Sequence, residues 1–252
     1  MDALIGAGAF REGLAVEYAR LRAVAEAVPP ETPVPTCPEW TLADLVTHVG
    51  NVYQHKVACM RDGEAAVWEP DGGAAPPVEL LDRGYAALCA EFENRGISDP
   101  AYTWYPPDMT VGFWLRRMTH ETVIHRLDAG FAAGAPLPPI STPLAVDGID
   151  EVLRRFLAFG SLAYAAEFGA DLREADGRTV LVQTAGRGWA VQLAPTGVVV
   201  TEADADTRSA AAVSGEPSDV LRWLWRRGGA PARSGDADLL ARLHTLLHTA
   251  TQ

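Results

Sequence analysis

Glu121 and His125 stand four residues apart in a stretch that has the apolar spacing of a helix. Four residues turn a helix by about 40°, so the two side chains leave the same face. Trp114 and Met118 continue that face in one direction, and Asp128 continues it in the other. A carboxylate and an imidazole buried there would be costly unless another group compensated them. A bound metal ion would do so.

A third possible ligand, His48, lies on the apolar face of another predicted helix. With Glu121 and His125 it offers two nitrogens and one oxygen, a set that suits zinc and accepts other divalent ions. Three protein ligands leave one position open, as in catalytic metal sites, and a thiol bound there would become a nucleophilic thiolate. The face consists of Leu45, His48, Val52, His55 and Cys59.

These histidines also have ordinary explanations. A histidine on an apolar helix face is commonly a hydrogen-bonded core residue, and a Glu-x-x-x-His pair can be a solvated contact. The spacing is not that of a zincin, because His120 and His125 are five residues apart, about 140° around the helix. We expect His120 at the surface or between helices, and His55 beside the metal ligands, the substrate or a thiol cosubstrate. His244 and His248 share a face with no acidic residue, so we expect no metal there.

The first half of the chain is typical of a four-helix bundle. Apolar residues recur at spacings of three and four, and Thr41 with Asp44 resembles a capping box at a helix start. Four helices of about 20 residues predict an up-down bundle over residues 1–140. The predicted helices are one that ends at Pro29-Pro30, one from Thr41 to about Arg61, one that carries Leu81 to Phe92 and ends near Gly96, and one from about Val111 to Ala133.

The second half, residues 141–252, has the mixed pattern of a small α+β domain. Alternating segments separated by glycine and proline predict strands of an antiparallel sheet, between a linking helix and two closing helices. The predicted strands are Arg178 to Thr184, Gly188 to Ala194, Val198 to Thr201 and Ala210 to Val213. The predicted helices are about Asp147 to Phe168, Pro217 to Arg227 and Asp236 to Thr249.

The composition favours a small-molecule ligand. The 252 residues are 48% hydrophobic and 21% charged, as in ordinary globular proteins. A net charge of -12 argues against a nucleic-acid or anionic-membrane partner, since both need a basic surface. No signal peptide or apolar run of roughly 18 residues is found, which predicts a cytoplasmic protein. Cys37, Cys59 and Cys89 form no CxxC pair, so we expect buried small hydrophobes.

Three segments resemble one known family, and together they cover nearly the whole chain. Residues 34–50, VPTCPEWTLADLVTHVG, and 120–129, HETVIHRLDA, look like motifs of the mycothiol-dependent maleylpyruvate isomerase family. Residues 213–226, VSGEPSDVLRWLWR, are similar to the closing segment of its C-terminal domain. The resemblance implies a DinB-like four-helix bundle followed by an α+β domain similar to sterol-carrier folds.

The resemblance also implies a chemistry. Its metal triad falls on His48, Glu121 and His125, the set already reached from helix faces. Mycothiol, an actinobacterial low-molecular-weight thiol, is the implied cosubstrate, and the other partner is a small electrophile. Arg226 or Arg227 is the implied basic group from the C-terminal domain that holds an anionic substrate. The expected activity is cis-trans isomerisation, or thiol S-transfer if the reaction stops after addition.

One departure from the family bears on the substrate. Leu127 stands where many relatives have an aromatic residue, and the loop from Trp104 to Met109 is rich in bulky side chains. We therefore expect a substrate of a different shape, from a specialised biosynthetic pathway rather than aromatic breakdown. Two other classes stay open: a metal-dependent hydrolase or detoxifying enzyme that uses water, and a module whose C-terminal domain binds an apolar ligand.

Overall fold

The computed structural model describes residues 3–68, 70, 75–204 and 206–251. The chain forms two compact units, Met1–Pro138 and Pro139–Gln252. The first unit is helical, and the second combines helices with a five-stranded sheet, so the expected α+β class is confirmed. Within the ranges just given, no helix is both long enough and apolar enough to cross a membrane.

Four long helices make up the described part of the first unit. Each buries apolar residues on a recurring face, such as Leu14 and Leu21 in the first helix and Leu81 and Leu88 in the third. The second helix packs mainly on the third, the first mainly on the fourth, and the second also contacts the fourth. The helices are α1 (Ala7–Ala27), α2 (Leu42–Asp62), α3 (Pro77–Asn94) and α4 (Val111–Ala133).

The ends of α2 and α4 are fixed by local hydrogen bonds and by glycine. Thr41 and Asp44 form the predicted capping box, in which each side chain accepts a hydrogen bond from the other residue's backbone N–H. Gly63 and Gly134 follow the two helices with φ of 71° and 62°, a left-handed conformation that suits glycine. These ends fix the position of every side chain along the two helices.

Helix α4 is buried on nearly all sides, whereas the sequence predicted a single apolar stripe. Eighteen of its 23 residues are buried, among them three arginines. Two of these have carboxylate partners: Arg126 Nε donates to Glu17 at 2.5 Å, and Arg117 donates to Glu121 at 3.1 Å. Charged groups in a helix interior need such partners because burial removes their hydration.

The second unit begins with a helical run that changes its winding. Helix α5 (Thr142–Glu151) continues as a π-helical segment (Val152–Ala158) and then as α6 (Phe159–Ala163). The predicted start at Asp147 is wrong because Pro143 fits the first turn of a helix. The predicted end at Phe168 is also wrong, because the chain turns after Ala163. The short α7 (Gly169–Arg173) was not predicted.

The five strands form one sheet in the order β3-β2-β1-β4-β5. The prediction of a wholly antiparallel sheet is wrong, because β4 lies beside β1 and runs parallel to it. The other three pairs are antiparallel. The last strand was not predicted, because all four of its residues are exposed and show no apolar alternation. The strands are β1 (Thr179–Thr184), β2 (Arg187–Ala194), β3 (Gly197–Glu202), β4 (Ala211–Ser214) and β5 (Ala232–Gly235).

Helices α8 (Pro217–Leu224) and α9 (Ala237–Ala250) complete the second unit. The prediction that α8 reaches Arg227 is wrong. Arg226 has a φ of 57°, which no right-handed helix continues, and the Arg227 N–H donates to the Arg222 carbonyl at 2.7 Å. Arg226 and Arg227 therefore lie in the turn that closes the helix.

We expect Gly84→Ala to destabilise the protein by about 2 kcal/mol, in the range of overpacked cores. Helices α2 and α3 touch at Gly50 and Gly84, and a Cβ at Gly84 would lie 2.7 Å from the Gly50 carbonyl oxygen. Urea unfolding measures the change. Gly8→Ala in α1 is the matched control, because a Cβ there meets nothing within 4 Å. Equal stability of the two variants would contradict a close backbone contact between α2 and α3.

Candidate metal centre

His48, Glu121 and His125 come together between α2 and α4. Glu121 Oε1 lies 3.2 Å from His125 Nε2 and 3.6 Å from His48 Nε2. One ligand atom from each residue lies within 4.8 Å of the other two. Neighbouring ligands of a tetrahedral zinc ion are about 3.3 Å apart, given bonds of about 2.0–2.1 Å. The two separations from Glu121 Oε1 are therefore close to that of neighbouring zinc ligands.

Arg117 holds the second oxygen of Glu121. It lies one turn earlier on α4, and its Nη2 donates to Oε2 of the carboxylate at 3.1 Å. Its side chain is only 4% exposed, so this charge-assisted contact is shielded from water. Because Oε2 is engaged, Oε1 is the oxygen that Glu121 presents to the two imidazoles.

Asp128 orients His125 from the opposite side of the ring. Its Oδ2 lies 3.0 Å from His125 Nδ1, one turn along α4. The other oxygen, Oδ1, accepts a hydrogen bond from Thr36 at 2.6 Å, and Cys37 Sγ lies 3.9 Å from Oδ2. A carboxylate that accepts the Nδ1 proton leaves Nε2 as the ligand atom and fixes the ring, as around bound metals in general.

The connector between α1 and α2 forms one wall of the site. The Trp40 ring lies 4.8 Å from the His48 ring and 6.4 Å from the His125 ring, measured between centroids. Backbone hydrogen bonds tie this connector together: Val34 N–H donates to the Trp40 carbonyl, and Trp40 N–H donates to that of Cys37. The connector therefore holds Trp40 and the residues beside Asp128 as one folded segment.

The charges of the site shift the pKa values of two of its members. Burial acts to raise the pKa of Glu121, but His125, His48 and Arg117 together lower it well below its usual value. Burial acts to lower the pKa of His125, but Glu121 and Asp128 raise it to about 9. At neutral pH the site without a metal ion pairs a carboxylate with a protonated imidazole. A metal ion must displace that proton to bind His125.

His55 stands apart from the three-residue cluster. Its Nε2 lies 2.9 Å from the Ala66 carbonyl oxygen, and its Nδ1 lies 2.8 Å from Lys56 Nζ. Its ring also meets Trp68, with 5.1 Å between centroids. Both ring nitrogens are thus in use within the first unit, and a contact between His55 and a cosubstrate stays a prediction.

Arg226 and Arg227 lie in the second unit. Arg226 contacts His248 Nδ1, and the buried Arg227 donates from Nη1 to the Trp225 carbonyl at 3.0 Å. Their predicted role in holding an anionic substrate stays a prediction. His244, on α9, stacks on Trp223, with 4.8 Å between ring centroids and no acidic partner in the described contacts.

His120 and the cysteines also have defined places. His120 is buried and meets the Phe10 ring edge-on, so it lies between α1 and α4 rather than at the surface. Cys59 is buried as predicted, whereas Cys37 and Cys89 are half-buried. Sequence reasoning gave no role to Thr36, Trp40 or Arg117. The spacing of Arg117, four residues before Glu121, was the one signal that could have identified it.

This geometry defines a class of protein. Its members carry a cluster of two histidines and one glutamate in a helical bundle, and an α+β domain follows in the same chain. Two family profiles match the chain in that order. The mycothiol maleylpyruvate isomerase N-terminal domain matches residues 13–130, and the MDMPI C-terminal domain matches residues 143–242. The chain belongs to the mycothiol-dependent maleylpyruvate isomerase family.

Solved structures agree on the fold. A crystal structure of the mycothiol-dependent maleylpyruvate isomerase and one of its histidine-to-alanine mutant superpose with TM-scores of 0.64 and 0.63. Each is 14% identical, and each match covers 94% of this chain and 98% of the other. A UbiJ-SCP2 ubiquinone synthesis protein also matches, with 22% identity over 46% of this chain and 96% of the other chain. Its TM-score is only 0.30, so the predicted likeness to sterol-carrier folds stays a prediction. No curated protein sequence matches the chain.

Without a bound metal, the free energy of unfolding should fall as the pH rises from 6.5 to about 9. The pKa of His125 is raised from 6.5 to about 9 by folding, so its contribution is complete below pH 6.5 and is lost as the pH passes 9. The loss is at most about 3 kcal/mol. Urea unfolding of chelator-treated protein measures it. His125→Gln should abolish the dependence and His244→Gln should preserve it; a flat wild-type profile would refute the pairing.

Proposed function

We propose that this chain is a metal-dependent enzyme that activates mycothiol for addition to an electrophilic small molecule, with cis-trans isomerisation as the outcome. The observation that carries the proposal is the convergence of His48, Glu121 and His125, whose ligand atoms lie within 4.8 Å of one another. Family membership supports the thiol and the reaction, because the matching family and structures are named for mycothiol and maleylpyruvate. A cytoplasmic location and a lack of nucleic-acid binding stay predictions of the sequence.

Zinc fits the ligand set best. Two imidazoles and one carboxylate oxygen are typical zinc donors, whereas magnesium and calcium prefer shells made of oxygen alone. His48, Glu121 and His125 would hold the ion. When bound, zinc supplies one chemical capacity: it lowers the pKa of a coordinated thiol, so that thiolate forms near neutral pH.

The neighbouring residues prepare the three ligands. Arg117 occupies Oε2 of Glu121 and leaves Oε1 toward the imidazoles. Asp128 accepts the Nδ1 proton of His125 and keeps Nε2 turned to the same point. Trp40 covers one side of both imidazoles, which limits the approach of water from that side. The site is therefore arranged before any ligand arrives.

In the isomerisation we propose, the thiolate sulfur forms a bond to one carbon of a cis double bond conjugated with a carbonyl group. The electron pair of the double bond moves onto the carbonyl oxygen, and the former double bond becomes a single bond that can rotate. The pair then returns, the carbon–sulfur bond breaks with its electrons going to sulfur, and the trans product leaves with the thiolate regenerated. If a proton reaches the carbon before the sulfur leaves, the product is a thioether, which is thiol S-transfer.

His48→Ala and Glu121→Gln should each abolish zinc binding and turnover, because each removes one of three ligands. The measurements, made on one sample, are the zinc content of the purified protein and the conversion of maleylpyruvate in the presence of mycothiol. Separation of the trans product from the thioether distinguishes isomerisation from S-transfer.

Glu26→Gln is the matched control for this experiment, since Glu26 is an exposed carboxylate paired with Arg22 on α1. It should keep zinc and activity. A folded Glu121→Gln variant with full activity and no zinc would refute the proposal. Turnover that is equal with and without mycothiol would favour the hydrolase, and a wild type with neither zinc nor turnover would favour the binding module.

Asp128→Asn should weaken zinc binding by about 10- to 100-fold, as is common when the carboxylate behind a metal-bound histidine is removed. An amide does not stabilise the Nδ1–H of His125 as a carboxylate does. Competition with a chromophoric chelator measures the affinity, and circular dichroism checks the fold. Asp82→Asn, at the contact between α1 and α3, is the control. Unchanged zinc affinity in a folded Asp128→Asn variant would show that Asp128 has no part in holding the ligand.

A further inference from the structure

Lys56 is the single lysine of the chain, and its ammonium group lies in an unusual setting. The side chain is half-buried on α2. Its Nζ lies 2.8 Å from His55 Nδ1 and 5.1 Å from the centroid of the Trp114 ring on α4. The Ala66 carbonyl can only accept, so His55 Nε2 carries the proton and Nδ1 accepts from Lys56. His55 thus fixes the direction of Lys56.

The Lys56 ammonium group lies between an imidazole and an indole ring. Among residues 3–68, 70, 75–204 and 206–251, its contacts are the imidazole of His55 and the ring face of Trp114, and no ion pair is formed. Burial lowers the pKa of Lys56, while Cys59 and Glu121 act in the opposite direction. A half-buried ammonium without a counter-ion is costly, and a bound anion would offset that cost.

Lys56 belongs to the same helix contact as the metal ligands. It lies eight residues after His48 on α2, and Trp114 lies seven residues before Glu121 on α4. These separations correspond to about 10–12 Å along the helices. Trp68 links the two positions, since its ring lies 6.5 Å from that of His48 and 5.1 Å from that of His55. An anion at Lys56 would therefore lie about two helical turns from the cluster.

We propose that Lys56 is a specificity-determining residue that binds a carboxylate of the substrate. The substrate is then an elongated anionic electrophile, whose charged group stands several bonds from the carbon that reacts near His48, Glu121 and His125. This inference rests on the proposed function and adds to it the residue that binds a carboxylate remote from the reacting carbon. It also assigns His55 a positioning task, which is to hold Lys56 through Nδ1.

The test uses inert dicarboxylates that can place one carboxylate at the metal and the other at Lys56. Glutarate, adipate and pimelate are each compared with their monomethyl ester, by calorimetry on the zinc-loaded full chain. The wild type should bind at least one diacid about tenfold more tightly than its ester, the effect of one charge-assisted contact. Lys56→Met should remove the difference, and Lys56→Arg should retain most of it.

Arg61→Met is the matched control, because Arg61 lies on the same helix but pairs with Glu91. It should discriminate diacid from ester as the wild type does. If Lys56→Met still discriminates as the wild type does, or if the wild type prefers no diacid, the proposal is overturned. A wild type that binds no zinc, or that converts no maleylpyruvate with mycothiol present, contradicts the proposed function instead, and those two quantities are measured separately on the same preparation.

Discussion

The partial removal of the Glu121 carboxylate from water is the constraint on which the first unit depends. Burial acts to raise the pKa of the Glu121 carboxyl, yet that pKa lies well below its usual value because of the charges of His125 and Arg117 and the hydrogen bonds of His125 and His48. Arg117 engages one oxygen, and His125 with His48 approaches the other. Helix α2 must therefore come close to α4, since His48 reaches Glu121 only across that contact. The same arrangement that tolerates a partly buried charge also forms the candidate ligand set.

Helical periodicity alone located the three cluster residues. The face shared by Glu121 and His125 follows from a spacing of four, and His48 lies on the apolar face of α2 as predicted. Periodicity could not reveal the groups behind them. Thr36 reaches Asp128 across 92 residues of sequence, a contact that exists only because the connector folds back on α4. Periodicity likewise could not predict a role for Lys56, because the surroundings of its ammonium group depend on which side chains of α4 lie across the helix contact.

The second unit shows where sequence patterns fail on the fold. Strand segments were found because their apolar residues alternate, but alternation carries no information on direction, so the parallel pairing of β1 with β4 was missed. β5 has no buried residue and hence no pattern to detect. The predicted end of α8 is too late because the sequence Trp-Arg-Arg does not indicate that Arg226 adopts a left-handed conformation. Tertiary context decides all three.

The folded connector has a consequence for how this protein can evolve. Trp40 lines the site, while Thr36 and Cys37 hold Asp128, and backbone hydrogen bonds join these positions into one segment. A substitution that reshapes the wall is therefore pleiotropic, because it also disturbs the support of His125. When selection favours a new substrate, we therefore expect few substitutions in this segment. We expect more of them in parts of the site wall that do not also support His125.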